Sequence, residues 1–217
     1  METTPKKSTA TRGFMISLAL LLLVSLVNWG LITGWGNVDI DRLNLNGTEN
    51  TPFSALLYVP QNATNATPAP ALICFHGNAG NARNHESWAM EFARRGFVVL
   101  SVDEFGSGNS SNFTDEWLGT ASFVSCGEVY YQYLMGLPFV DADNIVVGSH
   151  SMGNSPGFSL AGKYNAKAVV AASPVTFRVD EEYFNAWTNY QGNYLCATGI
   201  VETAAAEKNK QDGMDIL

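Results

Sequence analysis

Ser151 sits in the run Ser149-His150-Ser151-Met152-Gly153, just after the apolar stretch Ile145-Val146-Val147-Gly148. A serine on a tight strand-to-helix turn is held at the carboxyl end of a sheet, where its hydroxyl can attack a carbonyl carbon. The chemistry indicated is acyl transfer with Ser151 as nucleophile. The run departs from Gly-x-Ser-x-Gly at its first position, where Ser149 stands, and alone it is a weak signal. Gly153 at its end lets the following helix approach the strand closely.

Acyl transfer builds negative charge on the carbonyl oxygen, which needs N–H donors already in place. His76-Gly77-Asn78 follows the apolar run Ala71–Phe75, and such a turn can aim the Asn78 backbone N–H at that oxygen, with the Met152 N–H as second donor. His76 reads as a loop histidine satisfied in place rather than as a base. His85 reads as an exposed residue near a helix start, and His150 as a neighbour turned away from the serine. These are the three histidines of the chain, and all precede Ser151. Asp103-Glu104-Phe105-Gly106-Ser107-Gly108 closes another apolar run, and Asp103 is expected to hold that loop by accepting backbone N–H groups. A phosphate cradle at Gly106–Gly108 is a weak reading, because the full dinucleotide fingerprint and its following helix are absent. No cofactor and no metal is expected.

The elements needed to position these residues are legible around them. Strands are expected at Ser54–Pro60, Ala71–Phe75, Phe97–Val102, Ile145–Gly148 and Ala168–Ala172, most of them short continuous apolar runs typical of strands covered on both faces. Helices are expected at about Asn84–Arg95, Ala121–Leu137 and Met152–Tyr164. Pro156 is tolerable in the first turns of the last one, whose N–H groups have no partner within the helix. Apolar strands alternating with helices predict a three-layer α/β sandwich with a mostly parallel sheet. Beyond Ser173 the rhythm fails.

Residues Phe14–Ile32 form an apolar stretch long enough to cross a bilayer. Lys6, Lys7 and Arg12 precede it, which favours an uncleaved single-pass anchor with the remainder on the extracytoplasmic side. Trp29 and Trp35 suit a membrane–water interface, and no A-x-A-like site supports a cleaved signal peptide. The expected organisation is a basic N-terminus (1–13), the span (14–32) and a linker with room for an edge strand (33–53). An α/β domain (54–200) and a polar tail (201–217) follow.

The chain carries 12 basic and 20 acidic residues, of which only Lys6, Lys7, Arg12 and Glu2 precede Asn37, leaving a net charge of −10 beyond it. That balance gives no footprint for nucleic acid. Cys74, Cys126 and Cys196 match no zinc spacing and no disulfide framework. Asn-x-Ser/Thr triplets begin at Asn46, Asn62, Asn65, Asn109 and Asn112, a mild enrichment.

Four segments stand in the order found in α/β hydrolases: Phe75-His76-Gly77-Asn78, Arg94–Asp103, Gly106-Ser107-Gly108-Asn109-Ser110 and His150-Ser151-Met152-Gly153. Together with Leu134–Asp141 they resemble the membrane-anchored, serine-aminopeptidase-like and dienelactone-hydrolase-like members of that superfamily in prokaryotes, over about Ser54–Val175. The resemblance implies hydrolysis of a small ester, thioester or peptide-like substrate. It also implies a catalytic acid and then a histidine after Ser151. Asp180, Glu181 and Glu182 are the only acids soon after the Ala168–Ala172 strand, and no histidine follows. The chain therefore reads as an N-terminal portion of such a hydrolase, with the last strands of the fold missing and activity weak or lost. The alternatives are a non-catalytic, membrane-tethered binding module, or a chain that does not fold stably alone.

Overall fold

The computed structural model describes residues 9–47, 51–111, 120–174, 188 and 190–197. The predictions made for Asn112, Asp180, Glu181, Glu182 and the tail 201–217 lie outside them. The chain divides into two compact units, Met1–Asn37 and Val38–Leu217.

The first unit is the helix α1, Thr9–Thr33, apolar nearly throughout and long enough to span a membrane. Its end is a local cap. The Trp35 N–H donates to the Gly30 carbonyl (2.8 Å), with Trp35 at a positive φ of 62°, and the Thr33 hydroxyl accepts from the Gly36 N–H (3.0 Å). Satisfying the last carbonyls through a left-handed residue is a common way to stop a helix.

In the second unit, the described residues form seven strands of one sheet: β1 Val38–Asn46, β2 Pro52–Pro60, β3 Ala69–Phe75, β4 Val98–Asp103, β5 Val140–His150, β6 Ala168–Ala172 and β7 Asn193–Ala197. Their order is β1-β2-β4-β3-β5-β6-β7, with β1 and β2 antiparallel to their neighbours and every pairing from β4 to β7 parallel. Helix α2 (Glu86–Arg94) joins β3 to β4, α3 (Thr120–Met135) joins β4 to β5, and α4 (Asn154–Tyr164) joins β5 to β6.

Strand alternation explains the continuous apolar runs. Ala71, Ile73 and Phe75 of β3, with Leu100 and Val102 of β4, pack with Tyr130, Tyr131 and Leu134 of α3 and Leu160 of α4. Leu72, Cys74 and Val99 turn to the opposite face, against Ala89, Met90 and Ala93 of α2. Both faces are covered, so no polar residue is required on either.

Two features of the sheet edges have physical causes. The segment read as a linker with room for an edge strand holds β1, which is paired along its whole length with β2. As an edge strand it is mostly solvent-facing (only Val38 is fully buried), so its composition is polar and Asn-rich. Strand β7 lies where the rhythm fails, and all five of its residues are exposed, leaving no buried pattern in the sequence to read.

Candidate active site

The chain leaves β3 for β4 on one side and returns to β5 on the other, so the carboxyl ends of β3 and β5 lie side by side, Phe75 opposite Ser149. In open α/β sheets, ligands bind where the strand order reverses in this way. Ser151 stands one residue beyond β5 and His76 one beyond β3. A Cβ placed on Gly77 would lie 3.2 Å from the Ser151 Cβ, so the two turns are in contact.

Ser151 opens a single 3₁₀ turn, Ser151–Gly153, that runs into α4, and its φ is +50°. A left-handed conformation costs a residue with a Cβ about 1–2 kcal/mol. Three of the five non-glycine residues with positive φ among the described residues, Ala79, Ser151 and Ser173, follow β3, β5 and β6 at this same edge. Strain of this kind collects where a site must be held in one geometry.

Gly153 permits the elbow. A Cβ there would meet the His76 carbonyl oxygen at 2.5 Å and the Phe75 carbonyl carbon at 2.7 Å, both backbone atoms that cannot yield. Ser149, at the position of the usual glycine, is fully buried, and its hydroxyl donates to Asn154 Oδ1 (2.8 Å). Room for it comes from Gly157 one turn along α4, where a Cβ would lie 2.9 Å from the Ser149 Cβ. Asn154 in turn donates to the Ser151 carbonyl (2.8 Å) and, across the cleft, to the Ala172 carbonyl of β6 (3.3 Å). Asn154 and Gly157 were not singled out from the sequence; the glycine missing before the elbow was the signal that could have found its replacement four residues beyond it.

The turn after β3 is fixed from both ends. The Glu104 backbone N–H donates to His76 Nε2 (3.1 Å), so that nitrogen is the acceptor and the ring proton sits on Nδ1. Nδ1 donates to the Gly77 carbonyl (2.7 Å), which also accepts from the Gly80 N–H (3.0 Å). Both His76 nitrogens are thus engaged, and burial holds its pKa below the usual histidine value. With the Gly77 carbonyl held twice, the N–H on the other side of that peptide plane, the Asn78 N–H, is aimed in the opposite direction. Among the described residues the Asn78 N–H meets no acceptor. Met152 lies in the first turn after the strand, where N–H groups have no partner within the helix.

Asp103, buried at the end of β4, joins the loops. Its carboxylate accepts from the Ala82 N–H (2.7 Å), the Asn109 N–H (3.1 Å) and Arg42 Nη1 of β1 (2.7 Å). The Ser110 and Tyr130 hydroxyls reach its carbonyl (2.6 and 2.5 Å). Gly108, at φ +57°, packs directly against the carboxylate. Arg42 and Tyr130 lie 61 and 27 residues away in sequence, so neither could be read as a partner there.

The reading of His85 as exposed is corrected. It is 8% exposed, because it precedes the first turn of α2 with its ring stacked on Trp88 (4.9 Å between centroids). Its Nε2 donates to the Phe75 carbonyl (3.2 Å), and burial lowers its pKa. His150 packs edge-on to His85 (6.1 Å), with Nδ1 against Gly77.

A mostly parallel sheet with this strand order, helices on both faces and the serine turn at the end of β5 is the α/β-hydrolase fold, and the chain has it. No protein-family model and no curated protein matches the chain. Among solved structures it is similar to a dienelactone hydrolase-like promiscuous phosphotriesterase from metagenomic libraries (16% identity, TM-score 0.59), covering 83% of this chain and 80% of that one. It is also similar to acetyl xylan esterase 1 from Thermoanaerobacterium (20%, TM-score 0.56; 70% and 52%). A third is the thioesterase domain of the curacin biosynthetic pathway (17%, TM-score 0.52; 70% and 52%). The chain spans about half the length of the last two.

Proposed function

We propose that the chain is a serine hydrolase module acting by acyl transfer on a small ester, thioester or peptide-like substrate. Ser151 attacks, and the Asn78 and Met152 N–H groups receive the oxyanion. His76, Gly77, Asp103 and Gly153 hold these groups in place. The observation that carries the reading is the strained Ser151, φ +50°, seated against the His76-Gly77-Asn78 turn at the switch point of the sheet. The activities of the similar esterase, thioesterase and phosphotriesterase structures are of this hydrolytic kind.

No base is assigned from this chain. His76 is committed through both nitrogens, His85 Nε2 is committed to Phe75, and His150 lies on the Gly77 side of the turn. Serine hydrolases stripped of a triad member keep only about 10³–10⁴-fold acceleration over water. The 217-residue chain is therefore expected to turn over p-nitrophenyl esters far below the about 10 s⁻¹ of a typical enzyme. A rate near 10 s⁻¹ lost in Ser151→Ala contradicts the absence of a base. The same engaged histidines favour a second reading, a non-catalytic binding module. It predicts a folded domain whose Ser151 takes no fluorophosphonate.

Helix α1 is proposed as a single-pass anchor, on its length and on Lys6, Lys7 and Arg12 ahead of it, with Val38–Leu217 on the extracytoplasmic side. The chain is expected to stay with membranes through alkaline carbonate washing and to be digested by protease added outside intact cells. Release by carbonate, or protection in intact cells, contradicts it.

A further inference from the structure

Glu104 is the most anomalous side chain of the second unit. It is 3% exposed, and neither carboxyl oxygen has a hydrogen-bond partner. Buried carboxyl oxygens are almost always paired, so an orphan of this kind calls for a cause. Its nearest basic group is the ring whose other nitrogen its own backbone N–H holds: Glu104 Oε2 lies 4.0 Å from His76 Nδ1. The proton on His76 Nδ1 therefore has one bonded acceptor and a second oxygen 4.0 Å away, beyond present hydrogen-bond reach. The Gly77 carbonyl has it now, at 2.7 Å, and the Glu104 carboxyl stands second.

We propose that His76 and Glu104 are a positioning pair for the Asn78 N–H, with the Glu104 carboxyl as the alternative acceptor for the proton that holds the Gly77 carbonyl. The inference rests on the reading of Asn78 as an oxyanion donor. While the carboxyl is neutral it competes poorly, the His76–Gly77 bond stands and the Gly77–Asn78 peptide keeps its direction. Once it ionises, the uncompensated buried charge draws the His76 Nδ1–H to itself. The Gly77 carbonyl then keeps only its bond from the Gly80 N–H, and the peptide is free to rotate.

The surroundings favour the neutral carboxyl at ordinary pH. Cys126 of α3 faces Glu104, its thiol pushed up to about 12 by burial first and by Glu104 second. Tyr130 of α3 is raised above its usual value, mainly by burial. The Asp103 carboxylate of β4 is already bonded to Arg42 of β1, and His85 ahead of α2 is held neutral by burial. No cation of the described residues pairs with Glu104, and desolvation raises its pKa well above 4.5. A carboxyl that keeps its proton in the native state while the unfolded chain releases it makes stability fall as pH rises from about 4.5 toward the native value.

The test uses the full chain in detergent micelles, with ¹⁵N-labelled histidine, and Glu104→Gln, which keeps the shape and cannot ionise. In the wild type, the His76 Nδ1–H resonance is expected to shift as pH is raised from about 6 to about 10, the range below which an exposed carboxylate would already have titrated. In Glu104→Gln it stays fixed. In parallel, the ratio of wild-type to Glu104→Gln phosphonylation rates at Ser151, read with a fluorophosphonate, falls across the same range by up to about 10²-fold, the worth of one oxyanion donor. A His76 resonance that does not move, or that moves equally in Glu104→Gln, overturns the inference. If Ser151 takes no phosphonate while the His76 resonance switches, the catalytic reading fails and the pair stands.

Discussion

Replacing Asp103 by alanine is expected to destabilise the fold measurably through lost hydrogen bonds alone. The carboxylate satisfies the Ala82 and Asn109 N–H groups and pairs with Arg42. A buried donor left without a partner costs about 1–3 kcal/mol. Arg42 adds little, because its side chain is 31% exposed and can turn to water. Asn109 is exposed too and its N–H can turn to water, so the stranded Ala82 N–H sets the cost at about 1–3 kcal/mol, against a net stability of about 5–15 kcal/mol for a domain. For a domain of this size the melting temperature should fall by about 2–12 °C. Calorimetry of the wild type and Asp103→Ala in the same detergent measures it, and a fall below about 2 °C contradicts this account of the loop. Because Ala82 closes the segment that begins at Asn78, reactivity at Ser151 should drop at temperatures where the variant is still folded.

The second large effect separates stability from chemistry at the elbow. Ser151 holds φ +50° with a Cβ in place, whereas glycine adopts that conformation freely. Ser151→Gly should regain about 1–2 kcal/mol of strain and lose about 0.5–1 kcal/mol to the greater freedom of glycine in the unfolded chain. The net is a melting temperature about 0–6 °C higher. Ser151→Ala keeps the Cβ and the strain, so it should melt within about 2 °C of the wild type, as substitutions away from the core do. Both variants lose the hydroxyl of the proposed nucleophile. A variant that becomes more stable as it loses its reactive group is what a strained functional turn requires. Ser151→Gly melting below Ser151→Ala would show that the turn is not strained.

The parallel core of the fold was legible because burial on two faces writes itself as continuous apolar runs: β3 and β4 are found where Ala71–Phe75 and Phe97–Val102 predict them. Of the edges, β1 was legible only as room for an edge strand and β7 not at all, because neither has such a run and both take their place from pairing alone. Ser151, His76 and Asp103 could be singled out since each follows a readable strand. What surrounds them could not. The acceptor of the His76 proton, the donors around Asp103 and the room that Gly157 leaves for Ser149 are contacts between segments distant in the chain. Glu104 is the clearest case, since only the assembled sheet shows that a carboxyl one residue beyond a strand is buried without a partner.

Treating the full chain with a fluorophosphonate and locating the adduct by mass spectrometry tests the central claim, that Ser151 is a nucleophile poised over an oxyanion turn. The expected result is one adduct, on Ser151, absent from Ser151→Ala. A chain that melts cooperatively yet leaves Ser151 unmodified, or that takes the reagent equally at other serines, would contradict it.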